Sequence, residues 1–483
     1  MGATIVWFRQ DLRLQDNPAL AAAIKRGEPV IPVFIWAPSE EGAWPPGAAS
    51  QWWLHHALQD LLTQLHQLGS RLLIEDAGTG SSLDSILSLA RQSGADHVYW
   101  NRRYEPAAIA RDKQASGQLS KEGIRTESFN SAMLLEPPDV KNKSGRPFRV
   151  FTPLWNHYRT RTVPDPVHVD LKALRNPITW PQHSPLDTYS MLPSTGWDCG
   201  LKTRFGIPAR ADLLTRFDDF SQDRAGAYPD TRDYPAMDGT TLLSPALHWG
   251  QIGPREIWKR LDRSDPAIES GLMRQLIWRE FAHHLLVHFP QTTQHPLRSE
   301  FLQFPWREDP GHLRSWQQGE TGYPIVDAGM RQLWQTGWMH NRVRMIVGSL
   351  LVKHLLGHWL EGARWFWDTL VDADLANNTF GWQWIAGCGA DAAPYFRIFN
   401  PIIQGERFDP GGTYVKTYLP ELNQVPAKFI HRPWDLSDLE LAGYGVKLGQ
   451  NYPRPVIEHA QGRARALEAF QANKSRAGNH NLS

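Results

Sequence analysis

The hydrophobic rhythm of the chain changes once. Up to about residue 130, short apolar, β-branched runs alternate with stretches of helical period. Thr4 to Phe8, Val30 to Trp36, Arg71 to Glu75, His97 to Trp100 and Arg125 to Phe129 read as strands. Strand and helix in regular alternation predict an α/β domain with a doubly wound, parallel sheet of Rossmann-like type. Between the second and third strands, Ala49 to Leu68 carries Trp53, Leu54, Leu58, Leu61, Leu62 and Leu65 at helical spacing, which predicts a helix covering one sheet face. Residues 131–205 lose this rhythm, and prolines crowd them from Pro137 to Pro185, so they read as a connection draped over the surface. Beyond residue 206 the apolar period is 3.6 almost throughout and strand signals vanish. The expected organisation is an α/β domain over 1–130, a linker over 131–205 and an all-helical domain over 206–483.

Composition narrows the function classes. Lys and Arg total 51 against 50 Asp and Glu, a net charge of +1, so no global field draws the protein to a polyanion and any such binding needs a local patch. Two cysteines exclude a disulfide framework, a four-cysteine zinc site and a cysteine-ligated iron–sulfur cluster, and they suit a reducing compartment. No targeting pattern opens the chain and no apolar run has bilayer-spanning length, so a cytoplasmic protein, not a membrane one, is expected. The first strand is not followed by G-x-G-x-x-G and no Walker A motif occurs, which removes the ordinary dinucleotide and phosphate-loop readings. Ligands can still sit at the carboxyl ends of the strands. The 22 tryptophans are an excess, each a large ring that must be buried, stacked or used.

Four segments carry candidate chemistry. In GWMHNRVRMIVGSLLVKHLL, from Gly337, a helical wheel puts Trp338, Asn341, Arg342 and Met345 on one face while Ile346, Leu350 and Leu351 face apolar packing. An Asn and an Arg on so apolar a helix need partners, because an unpaired buried polar group costs about 1 to 3 kcal/mol. A structural hydrogen-bond network competes with a ligand site as the explanation. LVDADLANNTFGWQW, residues 370–384, gathers Asp372, Asp374, Asn377, Asn378, Trp382 and Trp384. Ion pairs to Arg342 and Arg344 fit these carboxylates better than a metal, since the glycine-then-glutamate pattern of a calcium loop is missing. Thr240, Thr241 and Ser244 precede a helical run near Pro245, which suits either a phosphate at a helix N-terminus or a plain N-cap. Finally, Glu280 with His283 and His284 with His288 have metal-ligand spacing, but neither pattern is complete and structural histidines are the better reading.

Longer motifs carry a resemblance. WFRQDLRLQDNPAL at the start, TGYPIVDAGMRQL at 321, TGWMHNRVRM at 336, GWQW at 381 and DAAPYFRIFNP at 391 resemble the photolyase/cryptochrome family over nearly the whole chain. The resemblance implies an N-terminal antenna-binding domain and FAD buried in the helical domain. It matches Tyr228, Thr240, Thr241, Leu243, Ser244, Arg279, Asn341, Arg344, Asp372, Asp374 and Asn378 to flavin-contacting positions, with Arg344 pairing to Asp372 and Asn378 facing flavin N5. It matches Trp382, Trp359 and Trp306 to a chain that passes electrons from the surface to photoexcited flavin. It matches Trp278 and Trp384 to two rings cradling a flipped pyrimidine dimer, with Met345 beside them, and Arg232, Arg342 and Arg397 to arginines near the lesion and its phosphates.

The implied activity is light-driven repair of cyclobutane pyrimidine dimers in UV-damaged DNA, with the protein acting as a monomer. Asn378, where plant cryptochromes have Asp, favours repair over the rival reading of a blue-light photoreceptor. Asn341 and Met345 speak against a six-four photolyase, which has histidines there. The chain also departs from the family. Gln275 stands where dimer photolyases usually carry a Glu that bonds the thymine, and Leu272 stands where Trp is common. Ala107, Ala108, Thr292 and Thr293 replace the residues that hold folate in one subset. PGAASQWWLHHAL and YWNRRYEP look closer to the class III branch, so the expected second chromophore is methenyltetrahydrofolate in a different site, with 8-hydroxydeazaflavin as the alternative.

Overall fold

The structure, a computed structural model, describes residues 2–480 except 184, 190, 262–264 and 396; for residues 477–480 it describes the backbone only. It divides into two compact units. One holds residues 1–226, 241–290 and 371–376, the other 227–240, 291–370 and 377–483.

In the first unit β1 (Thr4–Phe8), β2 (Val30–Trp36), β3 (Leu73–Asp76), β4 (His97–Asn101) and β5 (Arg125–Phe129) form one parallel sheet in the order β3-β2-β1-β4-β5. Four crossover helices join the strands: α1 (Pro18–Lys25), α2 (Ala48–Gln67), α3 (Ser82–Ser93) and α4 (Pro106–Lys121). The strands stand within a residue or two of their expected bounds; β1, β2 and β4 are buried on both faces and so are apolar almost throughout, while the edge strand β5 is exposed or half-buried along its length. Trp53, Leu54, Leu58, Leu61 and Leu65 of α2 are buried as their spacing demands, with Leu62 half-buried. Strand order reverses between β1 and β4, and the polar motif after β1 is tied down there. Asn101 donates to Asp11 Oδ2 (2.6 Å) and to Asn17 Oδ1 (2.7 Å), and the buried Arg13 donates to the carbonyls of Ser131 (2.9 Å) and Gly250 (2.8 Å).

Among its described residues the Pro-rich connection contains two α-helices: α5 (Phe151–Arg159), whose buried Phe151, Leu154, Trp155 and Tyr158 have helical spacing, and a short one over Cys199–Phe205. The segment 241–290 packs on the α/β part of the same unit. Trp53 donates to Gln251 (2.7 Å), and α6 (Arg274–His288) receives the connection through its buried Glu280, which accepts from Leu134 N–H and Tyr158 O–H, both at 3.1 Å.

The second unit is helical. Its main elements are α7 (Pro324–Thr336), α8 (Asn341–Ser349) continued by one π turn over Leu350–His354, α9 (Trp359–Thr369), α10 (Leu375–Ala386), α11 (Pro401–Phe408) and α12 (His459–His480). Beyond β5 the described residues hold no strand, only an isolated bridge between Leu448 and Tyr452. The TGYPIVDAGM motif is a knot. Asp327, wholly buried in α7, accepts from Thr321 N–H (2.7 Å), Thr321 O–H (2.6 Å), Gly322 N–H (2.9 Å) and Tyr452 O–H (2.9 Å).

Candidate active site

Two carboxylates of the first unit stand just before α10. Asp372 accepts a 2.6 Å hydrogen bond from Ser244 O–H, so the serine that opens the short helix Ser244–His248 is turned toward a carboxylate. The turn ahead of it is bent sharply, with Leu242 at φ +54°, a conformation uncommon for a residue with a Cβ and a local strain the surrounding structure must hold. Thr241 Oγ1 accepts from Leu243 N–H at 3.4 Å. Asp374 is buried, with His283 Nε2 at 3.4 Å and His248 Nδ1 at 3.5 Å from the same oxygen. Burial alone would push its carboxyl up, but the two imidazoles outweigh burial and hold it well below the usual carboxylate range. His283 is thereby explained as a carboxylate partner, and His284 and His288 bond the connection instead: Phe148 N–H donates to His284 (3.0 Å), and His288 lies 3.3 Å from Pro137 O.

Arg279 faces the same connection, donating to Ala132 O at 2.8 Å with Glu280 at 3.6 Å. Beside it a small pocket, partly open to solvent, lies at the carboxyl ends of β1 and β4 and is lined by Gln10, Asn101, Arg103, Arg279 and Asp374 among others. On the outer turns of α6, Gln275 and Trp278 are half-buried. The Trp278 ring is stacked on Phe151 of α5, centroids 3.5 Å apart and planes within 5°, so one of its faces is taken by a protein ring.

In the second unit Arg342 pairs with Asp233 (2.6 Å) and lies 4.4 Å over the Phe408 ring, while Arg232 reaches Asp233 (3.7 Å) and covers Tyr228 at 5.4 Å. Arg344 donates to Met339 O at 2.8 Å, and Arg397 is exposed. Asn341 differs from expectation. It opens α8 and is exposed rather than buried, so its amide needs no partner inside the fold, and Met345 one turn later is half-buried. His340 caps α8 by accepting from Arg342 N–H at 3.2 Å.

Asn378 donates its amide N–H to Ala363 O (2.9 Å), which fixes the side chain's orientation on α10. One turn on, Trp382 is buried edge-on to Phe366 (5.0 Å) and Trp316 (6.0 Å). It also fits against Gly362, where an added Cβ would stand 2.1 Å from the ring. Trp359, buried three residues before Gly362, and the half-buried Trp306 both lie against His358, with ring centroids at 5.9 and 5.3 Å. Burial pulls the His358 imidazole down to about 4, so it is neutral at pH 7. Trp384, two residues past Trp382, is half-buried.

Comparisons with known proteins decide what this arrangement belongs to. Residues 4–171 match the model described as DNA photolyase, and residues 272–472 match the FAD binding domain of DNA photolyase. The chain is 44% identical to deoxyribodipyrimidine photo-lyase of Agrobacterium fabrum over 97% of its own length and 98% of the relative's. It is 37% identical to cryptochrome-1 of Arabidopsis thaliana over 97% of its length and 70% of that protein's. A crystal structure of a bacterial class III photolyase from Agrobacterium tumefaciens superposes with a TM-score of 0.93 at 43% identity, covering 98% of both chains. The chain belongs to the photolyase/cryptochrome family. It has the family's architecture, an α/β domain with a five-stranded parallel sheet followed by a helical FAD-binding domain.

Within this photolyase/cryptochrome architecture, four neighbours were missed by sequence reasoning: Phe151 under Trp278, Asp233 under Arg342, and His248 and His283 around Asp374. Asp233 was signalled by its place next to Arg232. Phe151 was signalled by its helical spacing with Leu154 and Tyr158. The approach of His248 to Asp374 joins positions 126 residues apart and left no local signal.

Proposed function

We propose that this protein is a light-driven deoxyribodipyrimidine photo-lyase acting on cyclobutane pyrimidine dimers in DNA. The observation that carries this reading is the half-buried Trp278, held flat against Phe151 as a preformed aromatic shelf of the kind on which an extruded base stacks. The donor set also fits FAD. Thr240, Thr241 and the backbone of Leu243 and Ser244 suit phosphates, Asp372 and Asp374 suit hydroxyls such as that of Ser244, and the fixed amide of Asn378 suits a ring nitrogen, with Tyr228, Arg279, Asn341 and Arg344 completing the set. Bound and reduced, FAD supplies on blue-light excitation the electron that opens the dimer. The chain's residues supply position. Trp278, Trp384 and Met345 cradle the lesion, Gln275 offers it an uncharged amide, and Arg232, Arg342 and Arg397 meet its phosphates.

Buried Trp382 and Trp359 and half-buried Trp306 form the route by which electrons reach the cofactor from the surface. The domain division proposed is 1–130 for the antenna, 131–205 as connection and 206–483 for FAD and DNA. The proposed second chromophore is methenyltetrahydrofolate or, alternatively, 8-hydroxydeazaflavin; Ala108, fully buried, cannot bond one at its own position. Among the described residues no helix is long and apolar enough to cross a membrane. A monomer in the cytoplasm suits this activity. The test is repair of a dimer-containing oligothymidylate by the reduced protein in blue light and in darkness. Light-dependent loss of dimers is expected, and a flavin-loaded, photoreducible protein without repair would point to a photoreceptor instead.

A further inference from the structure

The stretch Lys141–Arg149, KNKSGRPFR, holds four cations and no carboxylate in a chain whose net charge is only +1. It is not a loose loop. Asn142 Oδ1 accepts from the N–H groups of Ser144 and Arg146 (3.0 Å each) and from Ser144 O–H (2.8 Å), while Asn142 N–H donates to Arg146 O (2.9 Å) and Gly145 turns the chain at φ +75°. This closed turn leaves Lys141, Lys143 and Arg146 exposed, and Arg149 follows, also exposed, 4.8 Å over the Phe289 ring. Among the described residues no ion pair engages any of the four. The stretch is pinned along α6: Phe148 N–H bonds His284, Lys141 acts on the charge of His288, and Phe151 lies between Trp278 and Arg274, whose guanidinium is 5.1 Å from its ring. From Trp278 to His288 is ten residues of helix, about 15 Å. That is roughly four to five steps of duplex at 3.4 Å each.

We propose that the turn Lys141–Arg146, with Arg149, is a second anchor that grips the phosphate backbone of the duplex arm flanking the lesion, about four to five base pairs from it. This rests on the photolyase reading and adds a sequence-independent contact from the connection. The side chains that make it are exposed, so neutralising them leaves the fold intact. The experiment compares the wild type with the triple variant Lys141→Gln, Lys143→Gln, Arg146→Gln on two dimer-containing DNAs, a five-nucleotide single strand that cannot reach the turn and a 24-base-pair duplex, with binding measured from 50 to 200 mM salt.

For the duplex, the slope of log affinity against log salt should fall by about 2.7, which changes the affinity lost across that range by about fortyfold. The short strand should bind both proteins alike. Trimming the duplex arm below four base pairs should cost the wild type affinity and the variant almost none. Equal salt slopes, or equal responses to trimming, would overturn the anchor. Wild type that repairs neither DNA would instead sink the photolyase reading, while the slopes on undamaged duplex would still report on the turn.

Discussion

Two buried aspartates in this chain live by opposite rules. Asp374 of the first unit is held well below the ordinary carboxylate range, because His283 and His248 outweigh the burial that pushes it up. Asp327 of the second unit is buried as deeply, and burial prevails: four hydrogen-bond donors surround it, but they pull down less than burial pushes up, and its carboxyl rises to about 6. Donors alone can satisfy a carboxylate's geometry without offsetting the desolvation of its charge. A group beside imidazoles keeps its charge for use, whereas one ringed by hydroxyls and amides ties segments together. TGYPIVDAGM, one of the motifs carrying the family resemblance, is therefore a folding device, and LVDADLANN is the stretch that prepares chemistry.

The largest effect expected from this contrast is on stability. Asp327→Ala orphans the donors of Thr321, Gly322 and Tyr452 in a dry core and should cost at least about 3 kcal/mol. In a protein of this size that should appear as a Tm lower by about 3 °C. Flavin content per folded molecule should hardly change. A variant as stable as the parent would remove the knot.

The pH dependence comes next and runs in opposite senses at the two sites. The folded pKa of Asp327, about 6, lies above its ordinary value of 3.8, so the folded state holds the proton more tightly. Its contribution is fully present below pH 3.8 and is lost as pH rises to 6, about 3 kcal/mol in all. Asp374 is depressed, so its contribution is present above pH 3.8 and is lost as pH falls below that value. Unfolding free energies measured from pH 4 to 7 should carry the Asp327 slope, and Asp327→Asn should flatten it. An unchanged slope in that variant would assign it to another group.

Asp374→Asn should cost less, about 1 to 3 kcal/mol, since the amide can still meet one imidazole. Its signature is different in kind: flavin retained after gel filtration should fall more steeply than Tm. Loss of stability with full flavin retention would make Asp374 a second Asp327 and break the contrast.

How much of this was legible follows from the range of each interaction. The central strands β1, β2 and β4 and the helix α2 could be read because burial on both sheet faces, or on one helix stripe, is written at local spacing. The family motifs brought Asp372, Asp374, Asn378 and Trp382 together on one stretch of chain, and the structure sets the two aspartates just before α10 and holds Asn378 and Trp382 one turn apart on it. Asn341 was misjudged because the helix around it is apolar, yet it opens α8, where a side chain can face outward. Distinguishing Asp327 from Asp374 required knowing which side chains arrive from more than a hundred residues away, Tyr452 at one and His248 at the other. No periodicity records that.

The smallest effect expected concerns an aromatic pair and carries the same distinction between holding and using into the first unit. Trp278 is proposed to meet the lesion, and Phe151, stacked beneath it, only holds it flat. Phe151→Leu keeps an apolar side chain there but loses the ring contact, worth about 0.5 to 1.5 kcal/mol beyond its buried area. The Arg274 guanidinium, 5.1 Å over Phe151, loses its ring too. Trp278 then has more orientations to give up on binding, so affinity for dimer-containing DNA should fall by about threefold to tenfold, the factor matching that energy. Photoreduction of the bound flavin should stay the same, because its proposed tryptophans lie in the other unit. Undamaged DNA is the control: it offers no extruded base, so its affinity should not move. A Phe151→Leu variant that weakens both DNAs equally would make the ring a structural prop, and the stack under Trp278 would have no part in recognition.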